Sequence, residues 1–410
     1  MRHPPLALTL RIAVAAALPW LAAALPAQKV KVYVLAGQSN MEGHAKIATF
    51  DYLADDPATA PLLGKMRGRD GTPTVRDDVW ITYLTHGGEA TGPLTAGYGA
   101  RRAAAKSDDK IGPEFTFGIT MGEAHGEPVV LIKTAWGGKS LHTDFRPPSA
   151  GAYVFDQDWL DAAGKRGQDV DRIRAEKAAA TGHHYRLMID HVRQVLADLG
   201  RVCPRYSERA GYELAGFVWF QGWNDMVDRG TYPRRDQPGG YDRYSEVLAH
   251  FIRDVRGDLD APELPFVIGV MGVGGPVAED DRSRAVHRNF QAAMAAPAAL
   301  PEFRGKVTAV ATAPFWPQEL AAIADESDRV RNLARQLKNQ DKNGPNKDGT
   351  MSDAEQQAYV ERCRAELITP EEQARFERGA SNAGYHYMGC AKTMAQIGVA
   401  FADAMLSMER

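Results

Sequence analysis

The stretch Val30-Lys31-Val32-Tyr33-Val34-Leu35-Ala36-Gly37-Gln38-Ser39-Asn40-Met41 decides how this chain is read. Its first seven residues are almost all apolar and rich in β-branched types. A strand of that composition is covered on both faces, and such strands build parallel sheets. Gly37 then lets the backbone turn sharply. Ser39 follows at the carboxyl end of the strand, where open α/β sheets bind their ligands. A helix opening there aims free N–H groups at an anion. Taken alone, Ser39 reads equally well as an ordinary helix N-cap.

Working outward, the runs Val79 to Leu84, Pro128 to Thr134, Leu214 to Phe220, Pro265 to Val270 and Val307 to Thr312 repeat the pattern. Helical patterns cover 114–124, 180–199, 241–255 and 281–294. A final helix runs from about Met388 to Leu406, with Met394, Ile397, Phe401 and Met405 on one stripe. This alternation predicts a three-layer α/β/α sandwich with a mostly parallel, doubly wound central sheet, flavodoxin-like in type. Segments 54–78 and 137–180 read as long connections, and 340–361 as a polar acidic insertion within one domain spanning 28–410.

Composition excludes several classes. With 410 residues, 44% hydrophobic and 25% charged, and only three cysteines, the chain is neither disordered nor a disulfide-stapled miniature. Its 49 basic and 52 acidic side chains contain no basic block, so nucleic acid is not an expected partner. Residues 1–27 read as a signal peptide: Arg2 and Arg11 precede or open an apolar stretch from Ile12 to Leu25, interrupted by Pro19 and ending in small residues. Cleavage near Ala24 or Ala27 implies export, and losing the two arginines takes the net charge from −3 to −5. No second long apolar run follows, so no membrane association is expected after cleavage. Three cysteines, Cys203, Cys363 and Cys390, cannot all pair within the chain.

Three further segments carry candidate chemistry. In Gln221-Gly222-Trp223-Asn224-Asp225, Asn224 can donate to a developing oxyanion; a turn-forming Asn with Asp225 capping the next helix would look the same. In Ala135-Trp136-Gly137-Gly138-Lys139-Ser140, paired glycines can present a backbone N–H with no side chain in the way. In Ser381-Asn382-Ala383-Gly384-Tyr385-His386-Tyr387, just before the last helix, His386 can take a serine proton and return it to a leaving alcohol. His44 and His142 lie near the serine and glycine loops and are read as lining the same site. Residues 346–355 match the later part of an EF-hand loop. Gly344 stands where its first ligand belongs, which favours a solvated loop capping a helix from Asp353. The cysteines and histidines have no zinc spacing, and no metal or cofactor is expected.

The order of these blocks resembles the SGNH hydrolases, and more narrowly their carbohydrate acetylesterase branch of sialate O-acetylesterases and acetylxylan esterases. Gly37-Gln38-Ser39-Asn40-Met41 is similar to that branch's nucleophile block, Gly222-Trp223-Asn224-Asp225 to its G-x-N-D block, and Ala135 to Ser140 to its glycine block. Gly112-Pro113-Glu114 before an apolar helix is a further shared element. The resemblance covers roughly 29–406. It implies a serine esterase acting on an acetylated carbohydrate, with Ser39 as nucleophile and His386 as general base. The oxyanion donors would be the N–H of Ser39, that of Gly138 (or Gly137), and the Asn224 side chain. Gln38, Asn40, Trp136, Gly137, Gln221, Trp223, Asp225 and Asn382 are the expected substrate-side residues. A silent glycan-binding relative and an SGNH lipase or thioesterase are the rival readings. One departure stands out. The family's D-x-x-H acid is replaced by Ala383, leaving Asn382, a backbone carbonyl, Asp225 or Glu377 to orient the imidazole. The esterase reading requires Ser39 and His386 to meet.

Overall fold

The computed structural model describes residues 28–100 and 109–409, so the expected signal peptide lies outside the described residues. The strands are β1 (Val30–Gly37), β2 (Ala45–Lys46), β3 (Val79–Thr85), β4 (Gly88–Pro93), β5 (Lys110–Ile111), β6 (Val129–Ala135), β7 (Tyr212–Phe220), β8 (Phe266–Val270) and β9 (Val307–Ala311). Seven form one sheet in the order β4-β3-β6-β1-β7-β8-β9, and β2 pairs with β5. Within the large sheet every pairing is parallel except β3 with β4.

The chain starts this sheet at its centre. It adds β3, β4 and β6 on one side of β1, then β7, β8 and β9 on the other. The carboxyl end of β1, between β6 and β7, is therefore the topological switch point, where doubly wound sheets open a crevice. Side-chain alternation along β7 sets the two covering layers. Trp219 packs on Phe251 of the Asp242–Asp258 helix, with ring centroids 4.4 Å apart. Its neighbour Phe220 packs on Phe401 of the Ala391–Glu409 helix on the opposite face, at 5.3 Å. That last helix lies directly against the Glu114–Ala124 helix. The approach is so close that a Cβ at Gly398 would sit 2.2 Å from Thr116 Oγ1.

All six expected strands are present with ends shifted by no more than two residues, and the 114–124 helix is as expected. The elements that escaped the sequence reading are mostly polar or exposed. Edge strand β4 reads Gly-Glu-Ala-Thr-Gly-Pro and is largely exposed, so only its partner β3 shows a strand pattern. Segment 137–180 is not purely loop; it holds the helices Gln157–Lys165 and Val170–Ala180, N-capped by Asp156 and Asp169. The second of these buries no residue. Three more polar helices, Gln318–Lys338, Asp353–Leu367 and Pro370–Gly379, lie between β9 and the last helix. Within the acidic 340–361 segment, Ser352 and Glu355 form a capping box, and the buried Asn346 side chain bonds Leu337 and Met351. Cys203, Cys363 and Cys390 are all free thiols.

Candidate active site

Three loops leave the carboxyl ends of the neighbouring strands β6, β1 and β7, and short bonds tie them together. Gly37 approaches β7 so closely that a Cβ there would lie 2.2 Å from the Phe220 carbonyl oxygen. Ser39 opens the short helix Ser39–Glu42 directly after that turn. The Gln38 amide oxygen accepts from the backbone N–H of Gly222 at 3.3 Å and of Asn224 at 3.4 Å, and from Gln221 Nε2 at 3.1 Å. Gln221 Nε2 also donates to the Lys139 carbonyl at 3.1 Å, joining the Asn224 loop to the glycine loop. Trp136 N–H donates to Gly37 O at 3.2 Å. A Cβ on Gly137 would stand 3.7 Å from Ser39 Cβ and 2.9 Å from Glu42 Oε2, so a side chain there would crowd the serine. Gly138 is exposed and holds φ +76°, a conformation that suits glycine.

Among the described residues, the N–H of Ser39, the N–H of Gly138 and the Asn224 side chain make no hydrogen bond to the rest of the chain. For Ser39 the reason is positional, since the first N–H of a helix has no intrahelical acceptor. Three donors on three tethered loops are thus left without an acceptor within the described residues.

His386 arrives from the far end of the chain on a loop held in an uncommon shape. Tyr387 and Met388 both have positive φ, +51° and +60°, and both are buried. Such left-handed residues cost on the order of 1 kcal/mol or more each and persist only where the surroundings hold them. Here Tyr387 OH bonds Thr312 Oγ1 at 2.6 Å and accepts from Gly272 N–H at 2.7 Å, while Met388 O accepts from the N–H of Ser381 and Asn382. His386 Nδ1 lies 2.9 Å from Asn382 Oδ1, which also accepts the Ala383 backbone N–H at 2.8 Å. A backbone N–H can only donate, so the amide oxygen must face the ring. The proton therefore sits on Nδ1, and Nε2 carries the basic lone pair.

The His386 ring stacks on His44, with centroids 3.8 Å apart and planes inclined by 2°. Tyr385 meets it edge-on at 4.5 Å and also packs against Trp223 at 5.9 Å, joining the histidine loop to the Asn224 loop. Burial first, then the positive character of His44 and Lys110, lowers the His386 pKa to about 3. The ring is thus a neutral base at ordinary pH. Ser39 Oγ makes no hydrogen bond to it in this structure; the serine and histidine segments meet through the His44–His386 stack. Nucleophile–base contacts commonly tighten only when substrate binds.

Behind this surface lie the supports. Lys133 of β6 is fully buried and donates to Glu42 O at 2.8 Å, Tyr98 O at 2.7 Å and Glu114 Oε2 at 2.8 Å, so a buried ion pair underpins the serine helix. Burial raises the pKa of Glu114, and Lys133 opposes that shift. Asp225 accepts from the backbone N–H of Leu141 and His142 at 2.8 and 3.0 Å, and from Gln221 and Tyr232. Burial pushes its pKa up to about 6 against the hydrogen bonds from Gln221, Leu141 and His142.

The expected site residues therefore divide. Ser39, Gly137, Gly138, Trp223, Asn224, Asn382 and His386 are at least partly exposed at the switch point. Gln38, Asn40, Trp136, Gln221 and Asp225, expected on the substrate side, are buried in this structure. As their bonds already show, Gln38, Gln221 and Asp225 brace the loops. His142 is likewise buried, against Tyr232. Of the groups named for orienting His386, Asn382 is the one in contact, whereas Asp225 is committed to the glycine loop and Glu377 accepts from Gln373. Sequence reasoning missed Tyr385 and Lys133. A lone lysine inside the apolar run Val129–Ala135 was the available signal for the second.

The sequence profile of a carbohydrate esterase family, described as sialic acid-specific acetylesterase, matches residues 29–301. No curated protein is similar enough in sequence to register as a match. Among solved structures, a protein from Arabidopsis thaliana is 16% identical, with 69% of this chain and 85% of that one covered and a TM-score of 0.36. A carbohydrate acetylesterase from Xanthomonas citri is 15% identical, covering 69% of this chain and 49% of its own, with a TM-score of 0.35. NanS is 13% identical, with coverages of 70% and 79% and a TM-score of 0.39.

Proposed function

This chain belongs to the carbohydrate esterase family of sialic acid-specific acetylesterases, and from that we propose that it removes O-acetyl groups from carbohydrate through an acetyl-Ser39 intermediate. Family membership makes it a carboxylic ester hydrolase; the assignment of steps to residues is our reading of the site. His386 Nε2 takes the Ser39 hydroxyl proton as Oγ bonds to the acetyl carbonyl carbon. The carbonyl electron pair moves onto oxygen, held by the N–H groups of Ser39 and Gly138 and by the Asn224 amide. Collapse breaks the bond to the sugar oxygen, which leaves with the proton from His386. Water then gives a proton to His386 and attacks the acyl carbon. Acetate departs as Ser39 regains its proton.

The observation that supports this most strongly is the tautomer lock at Asn382. It supplies the orienting contact that Ala383 cannot, and leaves Nε2 basic. Among the described residues no helix is long and apolar enough to cross a membrane. The leader-like residues 1–27 support export to the periplasm or beyond. The test is release of p-nitrophenol from its acetate ester, with Ser39→Ala expected to abolish it. Equal inactivity of both proteins, with glycan binding retained, would favour a silent binder. Faster turnover of octanoate than acetate esters would point to an acyl-chain substrate instead.

A further inference from the structure

Beside the His386 loop a cleft of about 770 Å³ opens between the 314–318 loop, the Pro370–Gly379 helix and the start of the last helix. Neither Ser39 nor His386 lines it. We propose that this cleft binds additional sugar units of a neutral oligosaccharide or polysaccharide, so that the preferred substrate is an acetylated glycan chain rather than a free monosaccharide. The proposal rests on the esterase reading above and on three observations.

The first is position. In ester cleavage the leaving alcohol oxygen receives its proton from His386, so the sugar must lie on the histidine side and the acetyl group on the side of Gly138 and Asn224. Trp316 forms the wall between the His386 loop and the cleft. Its ring lies 3.7 Å from a Cβ built on Gly384 and 6.0 Å from the Tyr387 ring. A chain continuing from the bound sugar past that loop meets Trp316 next.

The second is lining chemistry. The half-buried Trp316 and Phe315 offer flat apolar surfaces suited to the C–H faces of pyranose rings, and most of the rest of the lining, apart from three prolines and Ala374, is polar. The volume lies in the usual range of ligand sites, and an aromatic wall beside many hydroxyl-binding groups suits a polar sugar better than an apolar ligand.

The third is charge. Arg375 bonds Glu319 at 3.2 Å and Glu371 at 3.4 Å, Lys392 bonds Asp56 at 2.7 Å, and Arg378 bonds Asp55. Three cations thus face four carboxylates, and each cation is paired. No unneutralised cation remains in the lining to recruit the carboxylate of an acidic sugar. The outer edges of fixed guanidinium and carboxylate groups are instead donors and acceptors for hydroxyls.

The test uses the full chain with mono-O-acetylated tetrasaccharides of β-1,4-linked glucose, mannose and xylose, the corresponding acetylated monosaccharides, and p-nitrophenyl acetate. At least one tetrasaccharide ester is expected to show a kcat/KM tenfold or more above its monosaccharide. Arg375→Ala and Trp316→Ala should each lower the ratio of tetrasaccharide to p-nitrophenyl acetate turnover about tenfold. Equal turnover of chain and monosaccharide for all three sugars, or an unchanged ratio in Arg375→Ala, overturns the proposal. If Trp316→Ala disturbs the histidine loop, p-nitrophenyl acetate turnover falls in step, and Arg375→Ala alone decides. If the wild type hydrolyses no ester at all, the esterase reading fails separately. Binding of unacetylated tetrasaccharides, followed by NMR, then judges the cleft: saturable binding lost in Arg375→Ala supports it, and absence of binding or preference for an oligosialic acid refutes it.

Discussion

Replacing Asn382 isolates the contact that stands in for the missing acid. Its amide oxygen receives His386 Nδ1 at 2.9 Å and the Ala383 N–H at 2.8 Å. When His386 becomes an imidazolium in the transition state, the first of these is a hydrogen bond from a charged donor, worth roughly 1.5–3 kcal/mol. Asn382→Ala removes it and frees the ring to adopt the other tautomer. At about 1.4 kcal/mol per decade, kcat should fall about 10- to 100-fold, with KM nearly unchanged. A merely structural role would lower folding stability without that split.

Asn382→Asp tests the same contact with opposite sign. Activity needs neutral His386, so kcat/KM declines as pH falls through the pKa of the free enzyme. Burial and the nearby His44 and Lys110 hold that pKa at about 3, so the wild-type profile should be flat from pH 8 to about pH 4. A carboxylate about 4 Å away favours the protonated ring by up to about 4 kcal/mol at an effective dielectric of 20, an upper limit of about 3 pH units. The acid limb should therefore move up in Asn382→Asp, with activity lost near pH 5 and kept at pH 8. The measurement is kcat/KM on p-nitrophenyl acetate between pH 4 and 8 (with the uncatalysed rate subtracted). Identical limbs in both proteins, together with full activity of Asn382→Ala, would refute the reasoning.

Other substitutions probe the supports. Lys133→Met strands the buried Glu114 and releases the Glu42 carbonyl, so urea denaturation should show a loss of about 3–5 kcal/mol; a change below 1 kcal/mol would contradict the bracing role. Asp225→Asn places an NH₂ group among four donors, and should cost about 2 kcal/mol or more while lowering kcat, because the loop carrying Gly138 is anchored through Leu141 and His142. An active variant of unchanged stability would show that the loop holds itself. His44→Ala uncovers one face of His386 and relieves part of its desolvation, so the acid limb should rise by about one unit or more, whereas His44→Phe should preserve the cover. Matching pH profiles in all three proteins would exclude the stack as a determinant.

What the sequence made legible follows from how each element is buried. Val30–Gly37 and its parallel neighbours are covered on both faces, so their apolar runs are nearly uninterrupted and their ends could be read closely. The Val170–Ala180 helix buries nothing and carries charge all round, leaving no periodicity to detect. At the site, residue types were legible but orientation was not. The same Gly-Trp-Asn-Asp string serves whether Asp225 faces substrate or the backbone of residues 141 and 142. Only the fold shows that both its oxygens are occupied from behind. Likewise nothing in Gly-His-Ala at 43–45 announces that His44 will lie flat on a ring 342 positions away.

Several energetically costly features of the chain lie at this same edge of the sheet. Gln38 must turn its oxygen toward the N–H groups of Gly222 and Asn224, which leaves its own buried Nε2 without a partner. Asn40 Oδ1, His44 Nε2, Thr134 Oγ1 and His142 Nε2 are also buried and unbonded among the described residues, and all belong to the serine or glycine segments. Groups of this kind cost about 1–3 kcal/mol apiece. The left-handed pair Tyr387 and Met388 adds strain in the histidine loop, whereas the other described non-glycine residues of positive φ, Asp260 and Gln340, sit in exposed turns. A fold selected for stability alone would relax such positions. Three further such groups, on His184, His191 and Trp219, lie elsewhere, but those in the serine and glycine segments, together with the strained histidine loop facing them, are consistent with a surface held in place ahead of substrate.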